Sequence, residues 1–243
     1  MKTFLVLCIA IFFSAFATAA SKEDDVNRYV QIFDGDSSLH TAAVESLAWT
    51  GISDVRVFDP LERRILNEAQ QAASDGRKKD QIAYYLRALG FSGQPKYAST
   101  LAKFASDGPY ERYAKTALLN LALYQNWNPV ISNRASFDPK YSDDVNRILN
   151  MLRSTDFQLK MIGAKRVFYS NKDEVLLEML AEQIRTTYTM NDPAINDPIA
   201  WLVKALGSAK QPKYQSLLQE VALHGNPNAA KYASKALQAL ASS

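Results

Sequence analysis

One cysteine, Cys8, is all that this chain offers to disulfide or thiolate chemistry, and it stands in an apolar leader. Met1-Lys2 makes a short basic start, Phe4 to Phe13 is apolar, and Ala17-Thr18-Ala19 supplies the small-x-small pattern of a signal-peptidase site. Residues 1–19 are therefore expected to be a signal peptide, cleaved after Ala19. Leu7 stands where a lipoprotein signal needs a small residue, and Cys8 comes too early in the chain, which argues against lipidation. A chain exported in this way, to the periplasm or beyond it, carries no cysteine, so packing alone must stabilise it and zinc has no thiolate to bind. The leader's apolar run is too short to span a bilayer, and no transmembrane segment is expected after it.

Histidine is nearly as scarce: His40 and His224 are the only two, and neither belongs to a His-x-x-x-His or His-x-His spacing. There is no Gly-x-Ser-x-Gly elbow, no glycine-rich phosphate loop and no Asp-rich calcium loop. NDPAINDP (191–198) sets Asp192 and Asp197 five apart, but its Asp-Pro steps read as turn and N-cap signals rather than metal ligands. No catalytic set and no cofactor is expected; a carboxylate pair assembled by the fold lies beyond what spacing can address. A strong charge of one sign is missing too. The formal net charge is +3, and removal of Lys2, the only charged residue of the leader, makes it +2. That balance announces neither nucleic acid nor an anionic membrane, and Arg77-Lys78-Lys79, followed by Asp80, reads as a solvated loop.

What the chain does have is repetition. DDVNR occurs at 24–28 and at 143–147, 119 residues apart. Asp80–Gly108 lies over Asp197–Gly225 without a gap at a spacing of 117, with about half of the positions identical, among them Ala88-Leu89-Gly90 and Gln94-Pro95-Lys96-Tyr97. Two matches at nearly one offset indicate a tandem duplication, with one unit at 20–142 and another at 143–243.

Within each unit the apolar period is that of a helix. Ile82, Ala83, Leu86 and Leu89 share a face, as do Tyr97, Leu101 and Phe104, then Tyr113, Ala117, Leu118 and Leu121. No stretch alternates as a half-buried strand does. Helices are expected near 24–33, 38–50, 59–74, 80–90, 95–106 and 110–125, with counterparts in the second unit. Asp59-Pro60 and Asp197-Pro198 read as N-cap and first helical residue, and Gly90 and Gly207 as helix terminators. Short amphipathic helices must cover one another's apolar stripes, so the expected fold is all-α, with about six antiparallel helix pairs stacked in order.

LRALGFSGQPKYASTLAKFASDGPYERYAKTALLNLAL (86–123), repeated as VKALGSAKQPKYQSLLQEVALHGNPNAAKYASKALQAL (203–240), resembles the HEAT-like repeats of bacterial proteins. The resemblance implies a curved α-solenoid whose second helices line the concave face. It also implies that Asp107 and Arg112 tie neighbouring repeats together, although His224 and Lys231 stand in the comparable places of the second unit.

Several residues invite a binding role. Tyr84 and Trp201 occupy equivalent positions on helices that the resemblance turns inward, and Arg87 and Lys204 are matched basic positions beside them; core packing is the competing reading for the two rings. Arg112 and Lys115 would add charge to the same face. Trp127 sits in QNWNPVISNRASFDPKYSDD (125–144), a polar, proline-broken connector, where it either docks on the helices or awaits a partner. For QPKY the structural reading prevails: Pro95 and Pro212 open helices, Tyr97 and Tyr214 face the hairpin partner with their hydroxyls in water, and only the lysines are left over. The function expected is thus a non-catalytic scaffold of the cell envelope that holds a protein or peptide partner on its concave face. An enzyme or ligand-binding protein acting on a glycan, peptide or chromophore is the alternative, and a structural spacer or self-associating protein the third reading.

Overall fold

Helix starts along this chain are marked by side chains that accept backbone N–H groups left free in the first turn. Asp54, Asp75, Asp156 and Asp192 cap α3 (Val55–Ala72), α4 (Gly76–Phe91), α8 (Phe157–Tyr169) and α10 (Pro193–Gly207). Ser142 and Asn226 cap α7 (Asp143–Arg153) and α12 (Pro227–Ala241). The remaining helices are α1 (Lys22–Asp34), α2 (His40–Leu47), α5 (Ala98–Ala105), α6 (Glu111–Ile131), α9 (Glu174–Thr187) and α11 (Gln215–His224). The computed structural model describes residues 22–242, so the expected leader lies outside it. Among the described residues the chain is all helical, without a strand, and no helix is long and apolar enough to cross a membrane.

The helices pack in neighbouring pairs, α3 on α4, α5 on α6, α7 on α8 and α11 on α12. Even-numbered helices also pack on one another, α2 on α4, α4 on α6, α8 on α10 and α10 on α12, while α1 packs on α3 and α7 on α9. The apolar faces expected from periodicity are the buried ones: Ile82, Ala83, Leu86, Leu89, Tyr97, Leu101, Ala117 and Leu121 are all core residues. Two buried clusters result, and the first takes Met151 and Leu159 from α7 and α8, so apolar packing runs across the middle of the chain.

Several boundary expectations are corrected. Asp59-Pro60 does not start α3, which begins a turn earlier behind Asp54. The early start puts Val57 and Phe58 in the core with no exposed surface. Burying two such side chains is worth about 1.5–3 kcal/mol each, enough to offset the roughly 3 kcal/mol cost of a proline inside a helix. Pro198 is likewise inside α10, and the Ala194 carbonyl that its missing N–H leaves free accepts a bond of 3.3 Å from Gln158 Nε2. Gly90 and Gly207 are not left-handed terminators; they are crossing points. A Cβ on Gly90 would lie 2.7 Å from the Ala117 carbonyl oxygen, and one on Gly207 would lie 2.4 Å from Ala236 Cβ. Arg77-Lys78-Lys79 lies in the first turn of α4 rather than in a loop.

The segment 125–144 is also less of a connector than its composition suggests. α6 continues through Pro129 to Ile131, burying Trp127, Asn128 and Ile131. Asn128 Nδ2 donates to the carbonyls of Phe91 (2.9 Å) and Ser92 (3.0 Å) at the end of α4, a service that no helical apolar period announces.

QPKY proves to be a clamp. Pro95 and Pro212 open 3-10 turns ahead of α5 and α11. The tyrosine hydroxyls do not reach water; Tyr97 donates to Asp59 (2.7 Å) and Tyr214 to Glu178 (3.1 Å), carboxylates of α3 and α9. The lysines left over by sequence go to the same groups, Lys96 to Asp59 (2.7 Å) and Lys213 to Glu178 (2.6 Å). Burial would raise the Asp59 pKa, but the bonds from Lys96 and Tyr97 outweigh it and hold the carboxyl below its usual range.

The two DDVNR segments meet. Asp25 of the first accepts from buried Arg147 of the second, and Arg134 bridges Asp25 (3.2 Å) and Asp143 (2.9 Å). These charges tie α1 to α7 across a sequence separation of more than a hundred residues. One polar pair has no counterpart in the second copy: His40 Nε2–H donates to the Ile32 carbonyl (3.0 Å), which leaves Nδ1 to accept from the Tyr85 hydroxyl (2.6 Å). Burial first, then the Arg64 charge, lowers the His40 pKa. Leu159 and Leu202 occupy the matching positions.

Candidate binding face

Aromatic residues stand three positions ahead of a cation that reaches the surface on three of the even-numbered helices, Tyr84 and Arg87 on α4, Trp201 and Lys204 on α10, Tyr232 and Lys235 on α12, while on α8 the same spacing joins Phe157 to the buried Lys160. Helical side chains lean toward the N-terminus, so a long cationic side chain at i+3 folds back over the ring at i. The distances from cation to ring centroid are 5.5 Å, 3.9 Å and 5.7 Å in that order. Attraction of a cation to a ring face at such distances is worth about 0.5–1 kcal/mol where exposed, enough to hold the side chain in place.

On α8, Lys165, Phe168 and Tyr169 share a face at three- and four-residue steps and meet the α10 cluster. Lys165 Nζ is 4.9 Å from the Trp201 centroid and Lys204 Nζ is 4.6 Å from that of Phe168. Trp201 packs edge-on against Phe168 with centroids 5.9 Å apart. Tyr169 remains 71% exposed. Toward the first copy, Lys165 and Tyr169 join Trp49, Arg87, Phe91 and Asn120 around a cleft of about 450 Å³. Arg166 stacks on Trp49 at 4.1 Å and is neutralised by Asp144 (3.2 Å); it separates this cleft from a second, of about 500 Å³, beside α1 and α2.

Charge on the face is unbalanced. Among the described residues Arg87, Lys165, Lys204 and Lys235 take part in no ion pair, whereas the lysines of QPKY and Arg147 are paired with carboxylates elsewhere. A row of cations fixed over rings and without carboxylate partners attracts an anionic group and offers apolar surface beside it.

Of the residues singled out by sequence, Arg87 lines the 450 Å³ cleft, and Trp201 and Lys204 extend it through Lys165 and Tyr169. Tyr84 lies under Arg87 and faces a neighbouring depression with Asp36, Arg77 and Gln81. Arg112 and Lys115 are apart from this group: they line a shallow depression with Lys79 and Leu119, and Lys115 pairs with Glu111 at 2.5 Å. Arg112 and Asp107 form no ion pair, so the ladder implied by the HEAT-like resemblance is not built here. Trp127 is only 5% exposed, with its indole N–H donated to Asp156 Oδ2 at 2.7 Å. It joins α6 to the cap of α8 and presents nothing to a partner.

Trp49, Lys165, Arg166 and Tyr169 were missed as site residues: the last three lie together on α8, and no spacing along the chain announces that they meet Trp49, which follows α2. Tyr232 and Lys235 were missed too, although the aromatic-x-x-cation spacing that they share with the other two pairs is a signal that would have found them. Compared with known protein families, with curated proteins and with solved structures, the chain matches none.

Proposed function

We propose that this chain is a non-catalytic binding protein of the cell envelope, in which the stacked helix pairs continue as a curved solenoid and the even-numbered helices present the face that holds a protein partner. The observation that carries the reading is the row of cations without carboxylate partners, each set against an aromatic ring, running from Arg87 through Lys165 and Lys204 to Lys235. Such groups bind by complementarity rather than by chemistry. Each exposed charge pair is worth about 0.2–1 kcal/mol, so four together supply at most about 4 kcal/mol, roughly a millimolar affinity. The remainder comes from apolar contact in the cleft beside Trp49 and Phe91, which fits a partner engaged through many modest contacts. The envelope location rests on the expected leader.

Recovery of partners from an envelope extract by the tagged protein tests this reading. A partner captured by the native chain and lost with the Trp201→Ala/Lys204→Glu double variant, at unchanged thermal stability, is the expected result. Undiminished recovery by that variant removes the assigned face.

A further inference from the structure

We infer that the partner presents an extended, carboxylate-bearing peptide segment to Arg87, Lys165, Lys204 and Lys235, with apolar side chains entering the cleft at Trp49 and Ile162. The inference deepens the binding reading and rests on it. Charge complementarity is the first argument. Arg87, Lys165 and Lys204 are half-buried and Lys235 is exposed, each lies against an aromatic ring, and none takes part in an ion pair, so the face sets four positive charges beside the cleft.

The second argument is what the rings are used for. Stacking against a sugar needs a bare aromatic face, and here the faces are taken: Arg166 lies over Trp49, Lys165 and Lys204 over Trp201, Lys204 over Phe168, Lys235 over Tyr232. Only Tyr169 stands open. The rings hold cations, and the cations meet the ligand, which favours a carboxylate chain over a glycan.

Spacing gives the third. The cations sit on α4, α8, α10 and α12, of which α8, α10 and α12 pack in succession. Packed helix axes lie about 8–10 Å apart, and an extended chain advances about 3.3 Å per residue, so a peptide crossing the helices meets a new cation about every third residue.

The probe is therefore a synthetic peptide with glutamate at every third position and leucine or serine between, titrated against the full chain while the emission of Trp49 and Trp201 is followed. Saturable binding is expected, weakening about tenfold with Lys204→Glu and with the more exposed Lys235→Glu, largely kept by Lys204→Arg, and falling as salt shortens the screening length from about 10 Å at 0.1 M to about 3 Å at 1 M. Equal binding of the same peptide with lysine for glutamate overturns the inference, as does tighter binding of a polyuronate than of the peptide. If the glutamate peptide does not bind while the extract partner is still lost with Trp201→Ala/Lys204→Glu, the carboxylate chemistry is refuted and the binding face stands. If neither depends on these residues, both readings fall.

Discussion

Adding one methyl group at each of two matched glycines should have consequences that differ in a way the geometry dictates. At Gly90 the added Cβ would lie 2.7 Å from the Ala117 carbonyl oxygen, 2.9 Å from its Cα and 3.2 Å from its carbonyl carbon. All three are main-chain atoms of α6, so relief requires the helices to part. At Gly207 the Cβ would meet Ala236 Cβ at 2.4 Å, and the next atom is at 3.7 Å. That clash is with a single methyl. Overpacking costs about 1–3 kcal/mol, and the gain in helix propensity from glycine to alanine returns up to about 1 kcal/mol. Each single variant is thus expected to lose about 1–2 kcal/mol, or roughly 2–8 °C in Tm for a chain of this size. Ala236→Gly should rescue Gly207→Ala to within about 1 kcal/mol of the native chain, since it removes the one atom in the way. Ala117→Gly should not rescue Gly90→Ala, because the Ala117 methyl is not what obstructs. Urea denaturation followed by helical circular dichroism gives both double-mutant cycles. Strict additivity in the Gly207/Ala236 cycle, or full rescue in the Gly90/Ala117 cycle, would refute the claim that these glycines exist for helix crossing.

Three further outcomes are expected. Lys210 holds φ 51°, the left-handed conformation that its counterpart Gly93 adopts at φ 63°, so Lys210→Gly should raise stability by about 0.5–1 kcal/mol, read as a higher urea midpoint. Tyr97→Phe should cost about 1–2 kcal/mol by losing the bond to Asp59, whereas Lys96→Met should cost under about 1 kcal/mol because both members of that ion pair are substantially exposed; thermal melts of the two variants rank them. His40, its folded pKa lowered by burial, takes up a proton at higher pH when unfolded than when folded; the stability it contributes is complete above about pH 6.5 and declines as pH falls below that toward the folded pKa. His40→Leu/Tyr85→Leu, which adopts the second copy's residues, should flatten that part of a stability-pH profile measured by urea titration.

Much of the helical framework is visible in local pattern because its causes are local. The spacing of Ile82, Leu86 and Leu89 sets which side of a helix is apolar, and that side is buried whatever covers it. The aromatic-x-x-cation pairs are equally local, since i and i+3 are neighbours on any helix, so Tyr84 lies beside Arg87 and Trp201 beside Lys204 whatever the packing, while local pattern left core packing as the competing reading for the two rings. Helix ends were less legible. Asp59-Pro60 carries a good start signal, yet Val57 and Phe58 pull the helix past it, because burial against α1 and α4 outweighs one lost backbone bond.

By itself, the sequence determined the all-helical class and the buried faces, matters of residues within a turn or two of one another, and the repetition, a match of residues 117 to 119 apart. Only the tertiary structure decided that the lysines of QPKY are consumed by Asp59 and Glu178 while Lys204 and Lys235 remain without carboxylates, that Trp127 is interior, and that Lys165 of α8 reaches Trp201 of α10. Whether a cation finds a carboxylate depends on what the neighbouring helix carries at the height where the two cross. That height is set by close contacts such as Gly207 on Ala236, which no period along one helix records.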